Sequence, residues 1–276
     1  MTSQAQTIVI QPTRGMTVPR LDELWQHREL FVFLIWRDIK VRYAQTALGA
    51  AWMVFQPLAM MLVYTFAFSH LAKVSIPGLP YPLFALSGLT LWTFVSRGVF
   101  VGTMSLVTEI AIVTKTSAPR VLVPMAALTS MLVDFAITLG LFIVFDLAYG
   151  RVPTWRFVFV LPLFALAYLL TLGMSLALSA LNVRYRDVSQ ALPFVIQLWF
   201  FVSPIAFPLL TPGRAWETYL QALNPLVGIV LAFRWALLGT PAPHGLFIVA
   251  LIVTLAVFAA GVAYFSRVDR TIADDV

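Results

Sequence analysis

Two ionisable residues stand where hydrocarbon would surround them. Arg97 lies deep in one long apolar stretch, and Asp134 lies near the middle of the next. An ionised group at mid-bilayer costs on the order of 3 kcal/mol on insertion scales, so each must face protein or water. Two readings fit them: a structural ion pair that fixes helix packing, or a polar site on a transport path. Gly98 and Gly102 form a GxxxG pair beside Arg97, which permits close helix approach. Glu109 and Asp146 fall near the ends of apolar stretches and are expected to be hydrated.

Aromatic and basic residues form two further groups. Trp52, Phe55 and Tyr64 have spacing for nearly one helix face, and Trp199, Phe200 and Phe201 cluster later. Aromatic rings can stack on the apolar faces of sugars while tolerating water. The plainer reading is packing or contact with lipid. Arg37, Lys40 and Arg42 sit just before the first long apolar stretch. They would draw an anion, or they are ordinary cytoplasmic positive charge.

Catalytic constellations are missing. There is no GxxxxGK[ST], and none of Lys40, Lys73 and Lys115 follows a glycine, so the chain has no P-loop for ATP. Ser175 in Gly173-Met-Ser-Leu-Ala is one residue short of GxSxG, and no His in a neighbouring span can serve as its base. The loop from Lys73 to Pro80 has no carboxylate, which argues against a membrane glycosyltransferase. Cys is absent, and His27, His70 and His244 are scattered without ligand spacing, so no metal site is expected.

The elements that must position these residues follow from composition. The chain has 276 residues, 61% apolar and 11% charged, with mean hydropathy +0.90. A soluble domain carries about 25% charged residues. Water is therefore the wrong solvent for this chain, and a soluble enzyme, a disordered protein and a disulfide scaffold are excluded. The net charge of +6 fits basic loops on anionic lipid, with no nucleic-acid partner. A spanning helix needs about 20 mainly apolar residues. Six stretches qualify: Ala50 to Ala72, Tyr81 to Val107, Val121 to Ala148, Phe157 to Leu181, Ala191 to Leu209 and Leu246 to Phe265. No cleavable signal peptide is expected in the first thirty residues. Lys and Arg concentrate in the two tails, the second-to-third loop and the fourth-to-fifth loop, so both termini are expected to be cytoplasmic.

Three segments are not simple spans. Pro19 to Phe31 reads as an amphipathic helix that lies in the headgroup plane or packs on its own protein. Phe31 to Tyr43 is too short to span and reads as a helix dipping into the interface. Between Thr211 and Gly245, Trp216, Tyr219, Leu220 and Leu223 have helical spacing. Asn224-Pro225 then caps a second short apolar helix. The pair forms a re-entrant hairpin or lies flat on the bilayer. Pro193, Pro204 and Pro208 predict a kinked or interrupted fifth span.

The motifs together resemble a known family. Trp36-Arg37-Asp38-Ile39-Lys40-Val41-Arg42-Tyr43, followed by Thr46 to Trp52 and Gln56-Pro57, is similar to the leading region of polysaccharide-exporting ABC permeases, which export O-antigen, related surface glycans and teichoic acids. Tyr81-Pro-Leu-Phe-Ala with Gly88 and Trp92, Ala180 to Asp187, and Leu223-Asn-Pro-Leu with Phe233-Arg-Trp235 agree in order and spacing. The resemblance covers about Leu21 to Arg267.

It implies an all-α membrane protein with six spans, an N-terminal amphipathic interfacial helix and re-entrant outer helices between spans five and six. Residues 1–49 would form the cytoplasmic and interfacial region, 50–266 the permease domain and 267–276 the tail. It implies a homodimer bound to two copies of a separate ATPase, which would hold ATP and Mg, with no cofactor in this chain. Trp36, Arg37, Asp38, Lys40, Arg42 and Tyr43 would form a cytoplasmic gate that meets a lipid pyrophosphate. Glu109, Lys115 and Arg120 would couple to the ATPase. The aromatics of spans one and five would line a glycan channel. Trp216, Tyr219, Asn224, Pro225, Phe233 and Arg234 would belong to an outer gate.

The function this implies is ATP-driven export of a lipid-linked polysaccharide across the bacterial inner membrane. The alternatives are an ABC exporter of a drug or small lipid, an ion-coupled transporter using Arg97 and Asp134, and a non-transporting scaffold.

Overall fold

The computed structural model describes residues 21–43, 51–111, 116, 118–208 and 221–275, and every regular element among them is a helix. The chain begins with α1 (Leu21–Gln26) and α2 (Arg28–Tyr43). The expected boundary at Phe31 falls instead at His27, so Arg28 to Leu30 belong to α2. Its Leu34 is buried while Val32, Phe33, Trp36 and Val41 are exposed.

Five helical segments are long and apolar enough to cross a membrane. The first is α3 (Ala51–Tyr64) continued by a π-helical stretch, Thr65–Leu71. The second is α4 (Tyr81–Thr108), with Pro82 in its first turn, where a missing N–H costs nothing. The third joins α5 (Leu122–Thr129) to α6 (Leu132–Ala148). The fourth joins a short 3₁₀ turn, Trp155–Phe159, to α7 (Val160–Arg184). The last lies in α10 (His244–Asp275).

The expected span from Ala191 to Leu209 is not a simple one. Its helix is α8 (Asp187–Val202), 16 residues long. At 1.5 Å per residue it covers about 24 Å, short of a hydrocarbon core of about 30 Å. Ser203 turns extended, at φ −107° and ψ 142°, because the following Pro204 disfavours helical backbone before it. α9 (Pro225–Leu238) is 14 residues and also too short. Asn224 caps it, accepting from the Leu226 amide at 3.1 Å, and left-handed Gly239 ends it.

Helix ends sort onto two faces. Arg37 meets Glu109, and Arg120 meets Asp269, at one end of the bundle. At the other, Arg151 donates to the Leu238 carbonyl, Arg156 to that of Gly239, and Tyr81 to that of Ala206. α4 is the axis: 72% of its apolar stretch is buried, against 17% for α3 and for α10. Small residues let its neighbours approach, since lipid supplies no hydrophobic drive between helices. A Cβ on Gly102 would lie 2.4 Å from Ser175 Oγ on α7, and one on Gly261 would lie 2.1 Å from the Gly173 carbonyl.

Candidate functional site

One face of α4 organises the polar interior. Leu89, Trp92, Thr93, Ser96, Arg97, Phe100, Val101, Met104, Ser105 and Thr108 recur at helical spacing and line three hollows in succession. The first, about 470 Å³, lies against α2 and includes Arg37, Asp38, Arg42 and Glu109. The second, about 620 Å³, includes Arg42, Arg97, Asp134 and Pro193. The third, about 120 Å³, includes Trp52, Gln56, Tyr64, Trp92, Arg97 and Asp134. Arg42 and Phe100 border the first two, and Arg97 and Asp134 border the last two.

The first hollow carries a charge cluster. Arg37 grips Glu109 with two hydrogen bonds, 2.6 Å and 2.8 Å, and reaches Asp38 at 2.9 Å. Burial disfavours its charge, but the two carboxylates outweigh this and raise the guanidinium above its ordinary range. Glu109 was expected to be hydrated; it is instead tied to α2. Lys40 and Trp36 are exposed on the same helix. The side chain of Tyr43 lies outside the described residues, as does Lys115. Arg120 donates to the carbonyl of Asp269 and lies 3.4 Å from its carboxylate.

At the second hollow α5 breaks into α6. Ser130 donates to the Ala127 carbonyl at 2.7 Å, a local bond that competes with the helix ladder. The break puts Ser130 and Asp134 within reach of Arg42, whose guanidinium donates to Ser130 Oγ at 2.8 Å and to Asp134 Oδ2 at 3.1 Å. Arg97 lies 3.7 Å from the same oxygen and donates to Gln56 Oε1. Arg97 and Asp134 are thus brought together, and Arg42 joins them from 92 positions away.

The third hollow is aromatic. Tyr64 stacks on Phe200 at 5.4 Å, and Trp92 meets Trp199 and Phe200 edge-on at 5.8 Å and 5.3 Å. Of the expected aromatics, Trp52 and Tyr64 line the hollow. Trp199 and Phe200 pack behind Trp92. Phe55 and Phe201 face outward, exposed by 56% and 59%. Trp92 and Gln56 are lining residues that the sequence singled out only as parts of motifs. The spacing of Trp92, Ser96 and Phe100 was the signal that could have found the face.

The outer end is cross-linked by polar groups. Asn224 accepts from Trp199 Nε1 at 3.0 Å and donates to Ser203 Oγ at 2.9 Å, so the cap of α9 also holds the end of α8. Phe233 is buried, 6.2 Å from Phe135. Arg234 is 1% exposed. It donates to the Pro204 and Ile205 carbonyls, both at 2.6 Å, and lies 3.5 Å over the Phe84 ring. Trp216 and Tyr219 lie outside the described residues. Asp146, expected to be hydrated, is 2% exposed and paired with Arg151 at 3.1 Å, because the chain doubles back after Gly150. No group of three or more metal-ligating side chains occurs among the described residues.

Comparison with known proteins gives concordant matches. The family description "ABC-2 type transporter" matches residues 29–238, from α2 through α9. The O-antigen export system permease protein RfbA of Myxococcus xanthus is 31% identical over 213 residues, 77% of this chain and 81% of that protein. The protein of the same name from Klebsiella pneumoniae is 29% identical, over 75% and 79%. The polysialic acid transport protein KpsM of Escherichia coli is 23% identical, over 74% and 80%.

Proposed function

This chain belongs to the ABC-2 type transporter family, and we propose that it is the membrane permease subunit of a polysaccharide-exporting ABC transporter. The transported molecule is a lipid-linked glycan of the O-antigen class, moved from the cytoplasmic to the outer side of the bacterial inner membrane. The observation that carries this reading is the row of three hollows, the first lined by Arg37, Arg42, Asp38 and Glu109 and the third by Trp52, Tyr64 and Trp92. Lys40, exposed on the same helix, and Arg42 suit a lipid diphosphate, and the rings of the third hollow suit a sugar chain.

The chain has no nucleotide-binding motif of its own, so a separate ATPase supplies ATP hydrolysis, with Mg at its site. Two permease copies pair, and each engages one ATPase through the segment from Glu109 to Arg120. Both termini are cytoplasmic. α8 and the turn after it make the fifth of six crossings, while the segment ending in α9 re-enters from the outside as the outer gate. ATP binding by the partners rotates the two permeases as rigid bodies. The Arg37–Glu109 tie carries that motion from the coupling segment to α2. Lys40, exposed beside it, offers the first contact to the diphosphate, with Arg42 behind.

Reconstitution tests the reading. Permease and ATPase are placed in proteoliposomes containing lipid-linked O-antigen on the ATPase side. ATP should expose glycan to an enzyme on the opposite side, and Lys40→Glu should slow this at least tenfold with assembly intact. Glycan that stays inaccessible despite ATP hydrolysis would refute it.

A further inference from the structure

The charges at mid-depth are asymmetric. Asp134 is walled in, its side chain 5% exposed, and both Arg42 and Arg97 point at one of its oxygens. Arg97 keeps 38% of its side chain exposed and borders the second and third hollows. A pair serving only to lock helices together would bury both partners, because a guanidinium in the hydrocarbon zone is costly. Both border the hollows, but the carboxylate is nearly enclosed while the cation is open to them. Gln56 steadies Arg97 from α3, so the guanidinium is held toward the cavity rather than left to snorkel away.

We propose that Arg97, with Arg42, is a second anion-binding station at mid-depth, which takes a phosphate or diphosphate group between the charged first hollow and the aromatic third. Asp134 is its internal stand-in. It occupies both guanidinium groups when no ligand is there, and an incoming phosphoanion competes with it for them. The two arginines already converge on one carboxylate oxygen, so one small anion can engage both. Planar guanidinium groups favour such oxyanions through paired hydrogen bonds. Arg42 borders the first hollow as well, so the anion can pass from one station to the next without leaving a cation. This inference rests on the proposed export function for its natural ligand, the lipid diphosphate. An ordinary phospholipid phosphate has the same chemistry.

The test uses the full-length permease in a non-ionic maltoside detergent that carries no phosphate, with radiolabelled inorganic pyrophosphate as the probe. Arg97→Gln should weaken binding about tenfold or more, the loss expected for a charged hydrogen-bonding partner. Arg97→Lys should retain part of it. Asp134→Asn should tighten binding several-fold, because it removes the competitor. A purely structural pair predicts that both neutralisations weaken binding alike, or that neither changes it, and either result overturns the proposal. If Arg97→Gln does not fold, the direction of the Asp134→Asn effect decides. Adding phosphatidylglycerol distinguishes the sources. Competition with pyrophosphate that disappears in Arg97→Gln identifies ordinary lipid phosphate as a ligand. Competition only by a polyprenyl diphosphate assigns the station to the carrier. Surface glycan in cells is scored separately, so failure of the export function leaves the binding result readable.

Discussion

Replacing Arg234 by Met should loosen the outer end of the bundle more than any other single polar change there. The guanidinium is fully buried and serves the Pro204 and Ile205 carbonyls at 2.6 Å each, with Ser87 Oγ and the Phe84 carbonyl at 3.3 Å. Met fills much of the volume but donates nothing. Each carbonyl left unsatisfied in a buried site costs about 1–3 kcal/mol, so the two close ones together lose about 2–6 kcal/mol. Relief of the buried charge offsets part of this, since replacing buried ionic groups with apolar ones can itself stabilise. A net loss of about 3 kcal/mol lowers the apparent melting temperature by roughly 6–12 °C, at about 2–4 °C per kcal/mol. Arg234→Lys should fall between, because one ammonium cannot reproduce a planar fork over the Phe84 ring. Gly88→Ala should mimic Arg234→Met, since its Cβ would lie 2.3 Å from the Ile205 carbonyl and 2.7 Å from Arg234 Nη2. The assay is thermal unfolding of the purified permease in detergent. An Arg234→Met protein that melts with wild type would show that these contacts do not hold the turn to α4 and α9.

Other substitutions follow from the same geometry. Gly261→Leu should abolish the close contact of α10 with α7 and sharply reduce folded yield, whereas Gly140→Ala, with nothing within 4 Å of the added Cβ, should behave as wild type. Size-exclusion profiles of the two proteins compare them directly. Asn224→Ala should cost about 1 kcal/mol through the lost cap alone. It also strands Trp199 Nε1 and Ser203 Oγ, so proteolysis of the segment between α8 and α9 should quicken. Glu109→Gln should cut export while ATPase binding persists, because it weakens the two-bond link from the first residue of the docking segment to α2 and leaves the rest of that segment intact; pull-down and export assays on one preparation separate the two.

The long helices were legible because their apolar runs exceed what a soluble fold can hide. Their interruptions were harder. The run from Ala191 to Leu209 is apolar enough to span, and its three prolines predicted an interruption; Pro204 is the one that ends helical backbone after Val202, while the helix runs on through Pro193. The break between α5 and α6, at Ser130 and Met131, has no Gly or Pro to announce it. Arg97 and Asp134 stood out because hydropathy makes any intramembrane charge conspicuous. Arg42 stood out only as an interfacial cation; its pairing with Asp134 did not, since nothing local links it to a residue 92 positions on. Asp146 looked hydrated from its place near a span end, and only the turn through Gly150 that returns Arg151 to it explains its burial. Among the aromatics, spacing grouped Trp199, Phe200 and Phe201, yet one helix face cannot hold three consecutive residues, so Phe201 faces out.

A deletion strain tests the proposed export of a lipid-linked glycan. Lipid-linked polymer is quantified separately in the inner leaflet and at the cell surface, with and without the gene restored. Surface loss with internal accumulation is expected, both reversed on restoration. Unchanged surface glycan with no internal build-up would contradict it.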